Sequence, residues 1–104
     1  MNSRRKGAQG ERDLANTLKK MGFDKARRGV QYSGSPDSPD VVGIDGFHIE
    51  CKRTERTDLY GWMKQAQRDC GDNVPIVVHR KNREGWLVIM TLEDFVKLIG
   101  ESND

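Results

Sequence analysis

The stretch that most constrains the fold runs from Ser33 to Arg53. Gly34, Pro36 and Pro39 exclude regular structure from Ser33 to Pro39, so this part reads as a loop. Two short strand-like segments follow, one beginning at Val41 and one from Phe47 to Lys52, separated by Asp45-Gly46. An Asp-Gly step between such segments is a hairpin signal, because glycine supplies the left-handed backbone of a tight reversal. In the second segment the side chains alternate: Phe47, Ile49 and Cys51 on one face, His48, Glu50 and Lys52 on the other.

The hairpin register decides whether Asp40 joins Glu50. A two-residue turn at Asp45-Gly46 pairs Ile44 with Phe47 and sends Asp40 to the Cys51 face. A three-residue loop, Ile44 to Gly46, with Gly46 left-handed, pairs Gly43 with Phe47. Val41 then shares the apolar face with Ile49, and Asp40 sits opposite Glu50. The second register is preferred because it keeps the buried set consistent along both strands.

Carboxylates held together repel, which raises the proton affinity of one unless a cation intervenes. Mg²⁺ suits such a place, since it takes hard oxygen ligands, often one or two carboxylates with water and substrate phosphate. A neighbouring lysine could orient water or stabilise charge on phosphate. A bare Glu-x-Lys is more often an ordinary charged strand edge; Pro39-Asp40 ahead of it shifts that balance. Ser35-Pro36-Asp37 fits the same pattern by letter, although Asp37 precedes no strand and Asp40 is the better ligand candidate.

The 104 residues make one domain, with a small core expected because a third of them are charged and only 35% apolar. The net charge of +2 says little, but nine Lys or Arg against three acids in the first 30 residues suit a phosphate backbone. Residues 1–6 read as a flexible basic arm and 101–104 as a frayed tail. Two cysteines without framework spacing and the lack of a signal-like or membrane-length apolar run favour a reducing, cytoplasmic setting without membrane attachment. Cys51, Cys70, His48 and His79 are too scattered for a zinc site.

Helical patterns are predicted over Ala8–Met21, ending at Gly22, with Leu14, Ala15, Leu18 and Met21 inward. Others cover Leu59–Cys70, capped by Thr57 or Asp58, and Leu92–Ile99, capped by Thr91. Phe23–Tyr32 is irregular or a short strand, while Val74–His79 and Trp86–Met90 are strands. Glu11 projects beside the first helix's buried stripe, where it either meets a metal or simply complements the helix dipole. Arg27 and Arg28 either aim at phosphates or are merely solvated. Gln65, on the flank of Trp62, reads from its own position as a solvent amide. The order α-β-β-α-β-β-α implies an α/β fold with a mixed central sheet flanked by helices.

Pro39-Asp40, then Glu50-Cys51-Lys52 about ten residues on, resembles the signature of the PD-(D/E)XK nuclease superfamily. Lys6-Gly7 with Glu11, Arg27-Arg28, Ser33-Gly34, and Trp62 with Gln65-Ala66 resemble small phage-type endonucleases and Holliday junction resolvases. The similarity runs from about Arg4 to Phe95. It implies a restriction-endonuclease-like core and a Mg²⁺-dependent endonuclease hydrolysing DNA phosphodiesters in recombination or repair, with Mn²⁺ substituting and no small-molecule cofactor.

On this resemblance Asp40, Glu50, Glu11 and the Cys51 main-chain carbonyl hold one or two metal ions. Lys52 and Gln65 complete the catalytic set, and Lys6, Arg27, Arg28, Ser33 and Arg53 contact DNA. Branched or duplex DNA is the expected partner, a homodimer is implied if junctions are resolved, and a phage-encoded copy would work in the host cytosol. Alternatives are a non-catalytic nucleic-acid-binding module, an RNA nuclease or a subunit of a larger complex.

Overall fold

A computed structural model describes residues 3–29 and 38–102, with side chains from Gly7 to Glu101. The chain runs α1 (Ser3–Lys20), β1 (Arg27–Arg28), β2 (Val41–Val42), β3 (Phe47–Arg53), α2 (Leu59–Asp69), β4 (Val74–Arg80), β5 (Leu87–Ile89) and α3 (Leu92–Ser102). The strands form one mixed sheet in chain order: β3 and β4 are parallel and the other neighbours antiparallel. The expected α/β architecture is present, with one additional two-residue strand, β1, on the β2 edge. Among the described residues no helix is long and apolar enough to cross a membrane.

Helix α1 begins at Ser3, five residues before the predicted start, so residues 3–6 are helical rather than a flexible arm. Arg4, Arg5 and Lys6 are good helix formers and extend the periodic segment without a break. At the other end Gly22, at φ 109°, closes the helix. Phe23 N donates to Leu18 O and Gly22 N to Lys19 O, both at 3.0 Å, the Schellman pairing that satisfies terminal carbonyls. Met21 lies beyond the last turn and is exposed, so it drops out of the predicted inward stripe. Helix α3 likewise continues two residues past Gly100, overriding the expected frayed tail at Glu101 and Ser102.

The sheet is covered on both faces. Leu14 and Ala15 of α1 pack with Val41, Ile49, Ile76 and Val78, while Met63 and Ala66 of α2 pack with Val77. Asp58 caps α2, accepting from Gly61 N, and Thr91 Oγ1 caps α3, accepting from Asp94 N at 3.1 Å. Pro75 is tolerated inside β4 because β5 reaches only Val77 to His79 and leaves that position unpaired on its side.

Gly10 sets the distance between α1 and the sheet. A Cβ at this position would lie 2.6 Å from Arg53 Cβ, so the helix sits on β3 only because the side chain is missing. Gly7, one turn earlier, faces open space. Gly10→Val should therefore destabilise the fold by about 1–3 kcal/mol in urea denaturation. Gly7→Ala should be neutral or stabilising by up to about 1 kcal/mol, through helix propensity. Equal effects of the two changes would contradict the packing account.

Candidate active site

The β2–β3 register is the one that keeps the apolar faces consistent: Val41 pairs with Ile49, and Asp40 N donates to Ile49 O at 2.8 Å. Phe47 N reaches back to Ile44 O, and Gly46 has φ 86°, as the three-residue loop requires. Gly43 is also left-handed, at φ 98°, and presses on Lys25 O, where a side chain would collide. Asp40 is thereby carried to the edge of Glu50.

Asp40 Oδ2 accepts a 2.8 Å hydrogen bond from the Cys51 main-chain N–H, which fixes its carboxylate against the strand. Asp40 and Glu50 lie close enough on this edge for each carboxyl to shift the proton affinity of the other. Burial first, and then the charge of Glu50, push Asp40 up to about 6. Glu50 is raised by burial, opposed by the hydrogen bond from Asp40 and by the Lys52 ammonium. The Cys51 thiol, facing the α1 side, is pushed up to about 12 by burial, Asp40 and Glu11, which makes it a packing group rather than a nucleophile.

Glu50 is 3% exposed, and so is not on a solvent-facing strand edge. His48, two residues earlier on the same face and 2% exposed, places Nε2 2.7 Å from Glu50 Oε1. That contact fixes one carboxylate oxygen. Lys52, next on this face, donates from Nζ to Gln65 Oε1 of α2 at 3.2 Å. Gln65 is thus a partner of the lysine rather than a free solvent amide. His79 stacks on Trp62, with ring centroids 5.1 Å apart, and its Nε2 lies 2.8 Å from Thr54 O, which ties down the chain leaving β3.

Glu11 faces the same site from α1, close enough for its charge to raise Asp40's neighbour Cys51 and Glu50 itself. Arg28 Nε donates to Glu11 Oε2 at 2.9 Å. This engages an arginine expected on phosphates and makes Glu11 a partner of β1. Burial nevertheless raises Glu11, with Arg28 opposing. Arg53 points into the fold's edge: its guanidinium reaches Asn82 Oδ1 at 2.7 Å and Glu55 at 3.8 Å. Arg27 is exposed, and its guanidinium donates to Lys25 O at 3.4 Å. Ser33, Asp37 and the side chain of Lys6 lie outside the described residues.

A groove of about 370 Å³ lies beside Lys52, lined by Gly7, Cys51 and the segment Arg53–Arg56. A larger cavity of about 610 Å³ sits farther along the sheet, between Thr57, Leu59, Trp86 and Leu87, away from the carboxylates. Among the described residues no three His, Cys, Asp or Glu side chains close up into a cage for a metal ion. Two carboxylates and a main-chain carbonyl nevertheless match a hard cation that keeps several waters. The repulsion between Asp40 and Glu50 is what a cation would relieve here.

Sequence reasoning passed over two residues here. His48 was visible as a histidine two positions before Glu50 on one strand face, a spacing that signals contact. Gly10 gave no local sign, because its role depends on how closely a helix approaches a strand 40 residues later.

A small mixed sheet with an Asp, a Glu and a Lys converging at the hairpin of β2 and β3 is the arrangement of a PD-(D/E)XK nuclease. The chain belongs to the family described as "Phage putative PDDEXK endonuclease", whose profile matches residues 2–103. Among solved structures it is similar to Hjc, a Holliday junction resolvase from the archaeal hyperthermophile Archaeoglobus fulgidus. That match has a TM-score of 0.59 and 26% identity, over 81% of this chain and 76% of that one. No curated protein matches. The fold is restriction-endonuclease-like and the chain is a nuclease by family.

The raised carboxyls carry a stability consequence. Asp40 binds its proton more tightly when folded, so its contribution is full below the unfolded value near 4 and is lost as pH rises through about 6. Asp40→Asn keeps the acceptor for Cys51 N and removes the charge. In metal-free buffer at pH 8 it should be more stable than the parent, by about 1–3 kcal/mol, with the gap closing by pH 4. A gap that widens towards pH 4 in denaturation curves would reverse the sign of this account.

Proposed function

We propose that the protein is a divalent-metal-dependent endonuclease that hydrolyses DNA phosphodiesters and prefers branched substrates. The observation that carries this reading is the coupled carboxyl pair of half-buried Asp40 and buried Glu50, with Lys52 two residues after Glu50 on the same strand face. A binding module has no use for repelling carboxylates facing phosphate, whereas a hydrolase needs them to hold a cation.

Asp40, Glu50 and the Cys51 carbonyl would hold Mg²⁺ or Mn²⁺, with Glu11 contributing through water. Bound there, the ion supplies Lewis-acid polarisation of the phosphate and lowers the pKa of water. The chain's own residues do the positioning. The Cys51 N–H and His48 fix the two carboxylates. Gln65 Oε1 holds the Lys52 ammonium, whose remaining protons can donate to the attacking water or to a phosphate oxygen. The groove flanked by Arg53 and Arg56 gives the DNA backbone a path past Lys52.

The preference for branched DNA is supported by the likeness to Hjc, a Holliday junction resolvase. Cutting two strands of a junction requires two active sites, hence two copies of the chain. The free cysteines suit action in a reducing cytosol.

The test is a cleavage panel on four-way junction, flap, nicked and linear DNA, with Mg²⁺ and with chelator. Junction cleavage that stops on chelation is expected. Glu50→Gln should lower cleavage at least about 100-fold while DNA binding in gel-shift assays is kept or improved. Binding without cleavage on every substrate would leave a DNA-binding module on a nuclease fold. Lys52→Met should reduce the rate by a similar factor and leave metal binding intact, as read by calorimetry.

A further inference from the structure

Two features at one end of the sheet stand outside the catalytic set. The first is the cavity of about 610 Å³ between the start of α2 and the β4–β5 hairpin. Its size falls within the range of about 300–1,000 Å³ found for small-molecule sites. The second is the charge beside it. Residues 53–56 and 80–84 carry Arg53, Arg56, Arg80, Lys81 and Arg83 against Glu55 and Glu84. Because β3 and β4 are parallel, with Arg53 beside Arg80, both segments emerge at the same end. They are tied together there: Arg53 donates to Asn82 Oδ1 at 2.7 Å, and Asn82 N donates to Glu55 Oε2 at 2.8 Å.

The cavity lining combines apolar walls, from Leu59, Trp86, Leu87 and Ile89, with charged residues that include Glu55, Glu84 and Arg80. Leu59 is 41% and Leu87 63% exposed, so the walls stand open to solvent. Arg80 donates from Nε to Glu84 O at 2.6 Å, and its guanidinium lies 6.0 Å from the centre of the Trp86 ring, which steadies the hairpin tip. An occupant suited to this lining is flat, apolar on its faces, polar at its rim and attached to negative charge. A nucleobase that has left the duplex meets each requirement. Its π-face lies on an aromatic or aliphatic wall, its exocyclic amine donates to a carboxylate, and its flanking phosphates meet arginine and lysine. A paired base has its faces and edge already occupied, and a bare phosphate would be opposed by Glu55 and Glu84. The position also agrees with the path of the backbone, since Glu55 lines both this cavity and the groove beside Lys52.

We propose that the cavity between α2 and the β4–β5 hairpin binds one unpaired nucleobase of the strand whose backbone follows the groove beside Lys52. The proposal rests on the reading of the protein as a nuclease of branched DNA and adds the feature that recognises the branch. Bases are free to enter only where strands separate, so the cavity selects a fork or junction over continuous duplex.

The probe is a fluorescein-labelled forked duplex with two unpaired cytosine arms, set against the same fork with abasic arms, which keep every phosphate and lack the bases. Binding of the full chain is read by fluorescence anisotropy in the presence of chelator, so that cleavage plays no part. The cytosine fork should bind at least about tenfold more tightly than the abasic fork. Leu59→Gln combined with Leu87→Gln, both at exposed positions, should erase that preference and keep the affinity for the abasic fork within about twofold. Should this variant fail to fold by circular dichroism, Thr57→Trp, at another exposed position of the lining, fills the cavity and should have the same effect. Equal binding of the two forks by the parent, or a folded variant that keeps the parent's preference, would overturn the site. Cleavage with Mg²⁺ is measured apart from this, so a nuclease without base preference and a base binder without cleavage are told from one another.

Discussion

The hydrogen bond from the Cys51 N–H to Asp40 Oδ2 is the contact on which the rest of the site depends. It is possible only when Val41 is opposite Ile49, and it makes the Asp40 side chain part of the sheet's own bonding. A slip of one residue would turn Asp40 to the α1 face and abolish both the bond and the encounter with Glu50. Sheet register and chemistry are therefore specified by the same few residues.

The cost of this arrangement is visible in the surrounding charges. Three carboxyls, Glu11, Asp40 and Glu50, are all held above their usual range, chiefly by burial. Each has its own compensating partner: Arg28 for Glu11, the Cys51 N–H for Asp40, His48 and Lys52 for Glu50. The protein thus tolerates an unfavourable cluster by distributing its relief over α1, β1 and β3, rather than by neutralising it. A fold optimised for stability alone would place apolar groups at these positions.

Much of this was legible in the chain because it depends on short-range pattern. The alternation from Phe47 to Lys52, the Asp45-Gly46 step and Pro39-Asp40 lie within 14 residues, and each follows from backbone rules. What sequence could not supply came from tertiary approach. Arg28 looked like a phosphate contact because nothing local joins it to Glu11, 17 positions earlier. Gly10 matters only through the approach of Arg53, which no local pattern encodes. Helix α3 leaves Leu92, Phe95, Val96 and Ile99 exposed, and periodicity reports that a face wants cover without saying what provides it. The start of α1 was missed because residues 1–6 are polar and basic and carry no apolar periodicity.

The parallel pairing of β3 with β4 has a consequence for the chain during synthesis. β3 carries Glu50 and Lys52, yet its neighbour begins only at Val74, after the whole of α2. Closing that loop must precede the burial that shapes the carboxylates, and such non-local pairing forms late. A nascent polypeptide that has exposed Asp40 and Glu50 but still holds β4 inside the ribosomal tunnel has the letters of the motif without its geometry. The geometry of the site is thus complete only once Val74 to Arg80 are free to pair with Phe47 to Arg53.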